Sequence, residues 1–200
     1  LTIEKGTAFE GVIRAADADL AADLYEATQE LCANAGLPAY EISNHAAPGQ
    51  ECRHNLTYWL NHSYLGVGPG AHSFLAGCRF GNLKSPREYI RRLTDYEAPE
   101  GSNGQDSVVI AGVPVVENVD VINRETEMAE TMMLGLRLDA GVSNEVFANR
   151  FCRTPHDVYP DVLDDLTEIG LLDISDGAIR LTARGRLLGN EVFGRFIVSG

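Results

Sequence analysis

The segment around Asp176-Gly177 most restricts the fold, because it predicts a β-hairpin. Two short apolar strands, Leu172 to Ile174 and Ile179 to Leu181, flank an Asp-Gly pair, which readily supplies the positive φ angles of a two-residue turn. A final helix is predicted to begin after Thr182. The end of the chain is therefore predicted to combine a hairpin with a closing helix.

Helical patterns precede this hairpin. Apolar residues recur every three or four positions in two stripes, Met128, Met132 and Leu136, and then Val158, Val162, Leu166 and Ile169, with a short helix capped by Ser143 between them. Three helices, a hairpin and a closing helix are typical of a winged-helix arrangement. The sequence thus predicts a mainly α domain over residues 120–200, whose fold alone does not establish DNA binding.

The first part of the chain, residues 1–119, predicts α/β structure. A strand is predicted at Leu1 to Ile3, a helix from Asp17 or Asp19 to Gly36, and further strands at Ala39 to Ser43 and Tyr64 to Val67. In such a fold the strands pair in parallel and functional groups collect at their C-terminal ends. The sequence Ser85-Pro86-Arg87-Glu88 predicts a second helix start, with Tyr89, Ile90 and Leu93 buried.

Charge and hydropathy exclude several classes of function. The chain has 16 basic and 29 acidic residues, a net charge of −13, and both halves are acidic. Nucleic-acid binding requires clustered lysine and arginine, so this balance argues against it. No apolar run reaches the length of a membrane span, and the first residues do not resemble a signal peptide. The expected location is the cytoplasm.

The four cysteines, Cys32, Cys52, Cys78 and Cys152, follow no zinc or iron–sulfur spacing and suggest no disulfide framework. We expect four free thiols.

Histidines and aromatic residues are concentrated between residues 40 and 62. Three of the five histidines, the only tryptophan and two tyrosines lie there, including His45, His54, Tyr58 and Trp59. Exposed histidine can ligate haem iron, and flat aromatic rings can pack on a macrocycle, which favours a tetrapyrrole ligand. The alternative is structural: Tyr58 and Trp59 belong to the core and His54 caps a turn.

A glycine-rich segment, Gly66 to Ser73, directly follows the predicted strand at Tyr64. Its glycines let the backbone approach a ligand closely, but Pro69 and the missing helix exclude a dinucleotide fingerprint. A tight turn at a barrel rim is the equal alternative. Candidate anion-binding cations are Arg53, Arg79 and Lys84, whereas the recurring Glu127, Glu130 and Arg137 are interpreted as surface or interdomain pairs.

These residues together resemble a known family. The runs Tyr40 to Asn44, Arg53 to Trp59, Tyr64 to Ser73 and Leu181 to Gly185 are similar to the oxygen-independent coproporphyrinogen III oxidase family. The His-Asn-x-x-Tyr-Trp hexapeptide, His54 to Trp59, resembles the HemW branch of haem chaperones more than the oxidase branch.

The resemblance implies a radical S-adenosylmethionine (SAM) protein, with a partial (β/α)6 barrel followed by a small winged-helix-like domain. Its [4Fe–4S] cluster would be held by a Cys-x-x-x-Cys-x-x-Cys loop that this sequence lacks. We therefore expect the C-terminal part of a larger protein, inactive alone as a radical enzyme. The glycines Gly66, Gly68 and Gly70 are the implied weak contacts with S-adenosylmethionine.

The resemblance also implies a tetrapyrrole site. His54 is the implied haem-iron ligand, with His45 as a competing ligand, and the implied contacts are Arg53, Asn55, Tyr58 and Trp59. The expected function is haem binding and delivery to an acceptor protein, and a homodimer is an expected assembly. The alternative is oxidative decarboxylation of coproporphyrinogen III to protoporphyrinogen IX in porphyrin biosynthesis.

Overall fold

A computed structural model describes residues 6–8, 10–12, 17–96 and 112–197. The helices in these ranges are α1 (Ala18–Asn34), α2 (Arg53–Trp59), α3 (Pro86–Thr94), α4 (Arg124–Gly135), α5 (Asn144–Phe151), α6 (Pro155–Val158), α7 (Pro160–Glu168), α8 (Ala183–Leu187) and α9 (Gly189–Gly194). The strands are β1 (His72–Leu75), β2 (Cys78–Asn82), β3 (Val116–Val121), β4 (Val142–Ser143), β5 (Leu172–Ser175) and β6 (Ala178–Leu181). The predicted strand Leu1 to Ile3 lies outside the described residues.

The first sheet is antiparallel, so the predicted parallel pairing is wrong for the described residues. Its strand order is β1-β2-β3, and β1 and β2 form a hairpin around Ala76 and Gly77, both with positive φ. The segments predicted as parallel strands make isolated antiparallel bridges instead: Ala39 with His45, Glu41 with Leu138, and Tyr64 with Phe74. The last strand, β3, extends two residues past the predicted domain boundary.

Local capping signals correctly place two helices of the first half, α1 and α3. The Asp17 side chain accepts a hydrogen bond from the Leu20 amide, and Gly36 follows the C-cap of α1 with a φ of +76°. The Ser85 hydroxyl likewise accepts from the Glu88 amide at the start of α3. The expected burial of the apolar face of α3 is wrong, because Ile90 is 63% exposed and Leu93 39% exposed.

The second sheet contains the predicted hairpin. Strands β5 and β6 flank Asp176 and Gly177, both with positive φ, and β4 adds a third antiparallel strand in the order β4-β6-β5. The Ser143 hydroxyl caps α5 as expected, and the Thr182 hydroxyl caps α8. The single helix predicted from Val158 to Gly170 is instead two helices, because Pro160 cannot donate within a continuous helix and begins α7.

One apolar core joins these elements. Its fully buried members come from α4, α5, α7, the hairpin and the last helix, and include Met132, Leu136, Phe147, Phe151, Leu163, Leu166, Ile179, Val192 and Phe196. The stripe predicted at Met128, Met132 and Leu136 therefore faces this core. None of the helices in the described ranges is both long enough and apolar enough to cross a membrane.

Candidate functional site

The histidine-containing hexapeptide forms most of helix α2. The His54 ring is exposed and lies edge-on to the Tyr58 ring, with centroids 4.9 Å apart and the planes at 90°. Tyr58 in turn contacts Tyr64 at 4.6 Å. His54 and Tyr58 are one helical turn apart and therefore share a face of α2. This face presents an imidazole backed by two phenol rings, a row that we call the His54 face.

Burial shifts the titration of the last ring in this row. Removal from water raises the pKa of the Tyr64 phenol above its usual value, while nearby Arg79 opposes that shift. The Tyr64 phenol therefore ends the row as an aromatic contact whose titration lies further into the alkaline range.

Two other predicted site residues flank the His54 face. Asn55 is half-buried and donates from Nδ2 to the Tyr40 hydroxyl at 3.2 Å, which ties α2 to the preceding segment. The Arg53 side chain is exposed and forms no ion pair within the described ranges. Arg53 is therefore available to a carboxylate, whereas Asn55 is already occupied by a structural contact.

Trp59 packs against Arg137 and not against the His54 face. The Arg137 guanidinium lies over the indole at 4.6 Å and over the Phe193 ring at 5.5 Å, so it is placed between the two rings. The indole Nε1 is buried and has no acceptor among the described residues. Trp59 therefore joins α2 to the C-terminal half of the chain and is not a member of the His54 row.

His45 lies on a separate segment. Its backbone bridges to Ala39, and its Nδ1 is buried with no partner among the described residues. Nearby Glu41 is fully buried, and its Oε1 accepts from the Ser43 amide at 3.0 Å and from Asn44 Nδ2. The structure thus gives His45 a more enclosed position than His54, and it brings the two imidazoles into no direct ring contact.

The glycine-rich segment is mostly a loop that ends in β1, not a strand from Gly66 onward. Buried Asn82 donates from Nδ2 to the carbonyls of Gly66 and Gly68, and the buried Ser73 hydroxyl accepts from the Gly66 amide at 3.0 Å. Gly70 closes the loop by donating to the Leu83 carbonyl. The loop is therefore fixed by side chains from β1 and β2.

The three predicted S-adenosylmethionine contacts differ in their surroundings. A Cβ at Gly66 would overlap the His72 carbonyl oxygen, so backbone packing alone requires glycine there. Gly68, with a φ of +100°, has open space where its Cβ would lie, and a Cβ at Gly70 would meet only Lys84 at 3.9 Å. Of the three, Gly68 leaves the most room for a ligand.

An ion pair and a hydrogen bond connect the two halves of the chain next to this site. Arg79 of β2 forms a two-pronged pair with Glu130 of α4 at 2.9 Å, and this contact raises the pKa of the guanidinium. Arg150 of α5 pairs with Glu127 and donates to the Asn61 carbonyl at 2.9 Å. Glu130 and Arg137 thus contact residues of the first half, whereas the partner of Glu127 lies in the same half of the chain, and Arg79 is not free to bind an anion.

The Arg79–Glu130 pair should contribute measurably to stability. In a double-mutant cycle with Arg79→Met and Glu130→Gln, we expect a coupling energy of about 1 kcal/mol, since the pair is bidentate but partly exposed. Urea unfolding of the four proteins measures it, and the coupling should fall as salt is raised. The exposed pair of Glu88 and Arg91 within α3 is the control, with a smaller expected coupling. A coupling near zero for Arg79–Glu130 would show that the pair does not hold the halves together.

Within the described ranges there is no group of three or more histidine, cysteine or acidic side chains placed to hold a metal ion. All four cysteines are free, as expected, and Cys52 precedes α2 without a capping side-chain bond.

Two positioning residues were not anticipated from the sequence. Asn82 holds the glycine-rich loop, and Thr131 accepts from Asn61 Nδ2 at 3.1 Å, which fixes the turn after α2. The Ala76-Gly77 pair between two apolar runs was a usable signal for the hairpin that places Asn82. No sequence pattern near Thr131 predicts its role, because its hydrogen-bond partner, Asn61, lies 70 positions away.

Comparisons with known proteins give similar sequences and one similar fold. A family model of the HemN C-terminal domain matches residues 122–188. The haem chaperone HemW of Bacillus subtilis is 40% identical over 176 residues, which cover 88% of this chain and 42% of that protein. HemW of Lactococcus lactis is 33% identical over 99% of this chain and 49% of that protein. The chain thus spans less than half the length of these curated relatives.

Two further matches are a mitochondrial protein and a solved structure. The mouse mitochondrial radical S-adenosyl methionine domain-containing protein 1 is 34% identical over 72% of this chain and 32% of that protein. Among solved structures, coproporphyrinogen III oxidase (HemN) from Escherichia coli, a radical SAM enzyme, aligns with a TM-score of 0.60 and 16% identity. That alignment covers 87% of this chain and 40% of the solved chain, and it shows a shared mixed α/β fold.

Proposed function

Because the chain belongs to the oxygen-independent coproporphyrinogen III oxidase family and is similar to haem chaperones named HemW, we propose that it is the haem-binding part of a radical SAM haem chaperone. The curated relatives named as haem chaperones support this proposal, and so does the geometry of α2. The whole protein would bind haem and pass it to an acceptor protein.

One observation carries the proposal: the motif places an exposed imidazole on an aromatic surface. His54 would ligate the haem iron, and the Tyr58 ring at 4.9 Å would hold the imidazole plane in a fixed direction. Arg53 is one residue earlier and forms no ion pair within the described ranges, so it would pair with a haem propionate. The role proposed for Trp59 becomes positional, because its ring is engaged by Arg137.

The family also suggests the finer architecture. We propose that residues 1–119 belong to a partial (β/α)6 radical SAM barrel and that residues 120–200 form a winged-helix-like domain. A [4Fe–4S] cluster with S-adenosylmethionine would supply radical chemistry in the whole protein. The residues of this chain do not fit the cluster, since its four cysteines lack the required spacing, whereas the open side of Gly68 suits a contact with S-adenosylmethionine.

The alternative is an oxidase that decarboxylates coproporphyrinogen III. Its support is the likeness to the Escherichia coli enzyme, which at 16% identity concerns the fold alone. The relatives with higher identity are named haem chaperones. We therefore favour haem binding.

Haem titration tests the role of His54. We expect the chain to bind haemin with a Soret band of histidine-ligated iron, and His54→Ala to weaken binding about tenfold or more, at about 1.4 kcal/mol per factor of ten. The observables are the position of the Soret band and the dissociation constant.

Two variants serve as matched controls in this titration. His156→Ala removes an exposed imidazole of the C-terminal half, which pairs only with exposed Asp164 at 3.4 Å, and it should bind haemin normally. His45→Ala tests the competing ligand. An unchanged spectrum and affinity in His54→Ala would remove His54 from the site, and a selective loss in His45→Ala would transfer its role to His45.

A further inference from the structure

A cavity of about 710 Å³ lies between the end of α2 and the C-terminal half of the chain. Its walls are largely apolar and include Trp59, Leu60, Leu138, Val142, Val146 and Phe147. Pockets that bind small organic ligands commonly measure about 300 to 1,000 Å³ and have mainly apolar walls. In size and chemistry this cavity therefore suits an apolar organic ligand.

The charge of the cavity differs from that of the chain. The described residues that line it include no aspartate or glutamate, although the chain has 29 acidic residues, and the charge of its one arginine, Arg150, is compensated by Glu127. A second cavity of about 650 Å³ is lined by Glu26, Glu30 and Asp139 together with Arg186. The first cavity is thus the less acidic of the two and the one suited to an apolar ligand.

An imidazole lies at the mouth of the first cavity. His62 is exposed, and its ring has no hydrogen-bond partner in the part of the chain that the structure describes. The turn that presents it is fixed: Asn61 is buried with a φ of +50° and donates to Thr131, and the His62 amide donates to the Thr57 carbonyl at 3.0 Å. The His62 ring is therefore available to a ligand from a well-defined position.

The cavity is separate from the His54 face. Trp59 follows His54 by five residues, which at 3.6 residues per turn places the two about 140° apart around α2. A ligand against Trp59 in the cavity cannot also lie on the His54–Tyr58 row. Any binding in the cavity would thus add to binding at His54.

We propose that this cavity is a second tetrapyrrole-binding site, in which His62 ligates the iron of a haem whose macrocycle lies between α2 and α5. Its carboxylates would lie at the open rim near Asn149, in contact with solvent, because Arg150 is already paired with Glu127. The proposal rests on the proposed function for the class of ligand, and it adds a site and an iron ligand.

Haemin stoichiometry of this chain, followed by Soret absorbance, tests the second site. We expect about half of the bound haem to be lost in His62→Ala and also in Val146→Phe, which fills the cavity from a side chain that is 63% exposed in α5. Val121→Phe places the same ring on exposed β3, away from the cavity, and should retain all of the haem. Circular dichroism of each variant verifies folding.

The outcomes separate this inference from the proposed function. If haem is lost only in His54→Ala, and both His62→Ala and Val146→Phe keep the original stoichiometry, the second site is wrong and the proposed function stands. If haem is lost only in the two cavity variants, the cavity is the binding site and the role of His54 is wrong. If the unaltered chain binds no haemin, both proposals fail.

Discussion

Replacing Phe151 with alanine is expected to lower the free energy of unfolding by about 3 to 5 kcal/mol, the usual cost of deleting a buried phenyl ring. Phe151 is 2% exposed at the end of α5, and its ring lies 4.6 Å from that of Phe147. Small domains have a total stability of about 5 to 15 kcal/mol, so this loss is a large fraction. Urea unfolding followed by circular dichroism measures it.

A conservative substitution at the same position is the control. Phe151→Leu keeps most of the apolar volume and should cost less than about 1.5 kcal/mol. Because α5 also lines the cavity and supplies Arg150 to the turn after α2, the alanine variant should weaken haem binding as well. If the alanine variant loses less than the leucine variant, Phe151 is not part of the core that we describe.

Replacing Gly141 with alanine is expected to destabilise the chain by about 2 to 5 kcal/mol. The residue has a φ of +69°, which costs an ordinary residue about 1 to 2 kcal/mol. Its Cβ would also overlap the Ile179 carbonyl and approach Arg180 Cγ at 2.7 Å, and such overpacking costs about 1 to 3 kcal/mol. Thermal and urea unfolding give the difference from the original protein.

Gly177 provides a matched control for this prediction. It has nearly the same φ, +72°, but open space where a Cβ would lie. Gly177→Ala should therefore show only the cost of the backbone conformation, and the difference between the two variants measures the clash with β6. Equal losses would mean that β4 does not approach β6 as closely as described.

Local signals explain what could be predicted from the sequence. The caps at Asp17, Ser85, Ser143 and Thr182 each involve a hydrogen bond to an amide three residues ahead, so the residue types alone are informative. The Asp176-Gly177 turn is similarly local. Features of this kind depend on a few adjacent residues and on no distant partner.

The first sheet and the burial of α3 depend on distant partners. Strand β3 pairs with β2 across about 40 positions, some of them outside the described ranges, and no pattern within either strand selects the antiparallel direction. Ile90 and Leu93 follow a helical period but remain exposed, because no described element covers that face. Periodicity thus identifies an apolar face and does not establish what packs on it.

The candidate site likewise combines features that local sequence predicts with contacts between distant residues. Its residues were recognisable from composition and resemblance, but helix α2 itself was not predicted, because Cys52 supplies no capping side-chain bond. The separation of His54 from Trp59 follows from that helix. The contact between Trp59 and Arg137 joins residues 78 positions apart and becomes visible only in the fold.

Mapping a bound porphyrin onto the chain is the direct test of tetrapyrrole binding by helix α2. Gallium protoporphyrin IX is a diamagnetic analogue of haem, so amide shifts in two-dimensional NMR spectra of the labelled protein report the contact surface. We expect the largest amide shifts at His54, Tyr58 and their neighbours in α2, and a second group of shifted amides around His62. Shifts confined to elements away from α2, or no shifts at saturating porphyrin, would contradict tetrapyrrole binding by this motif.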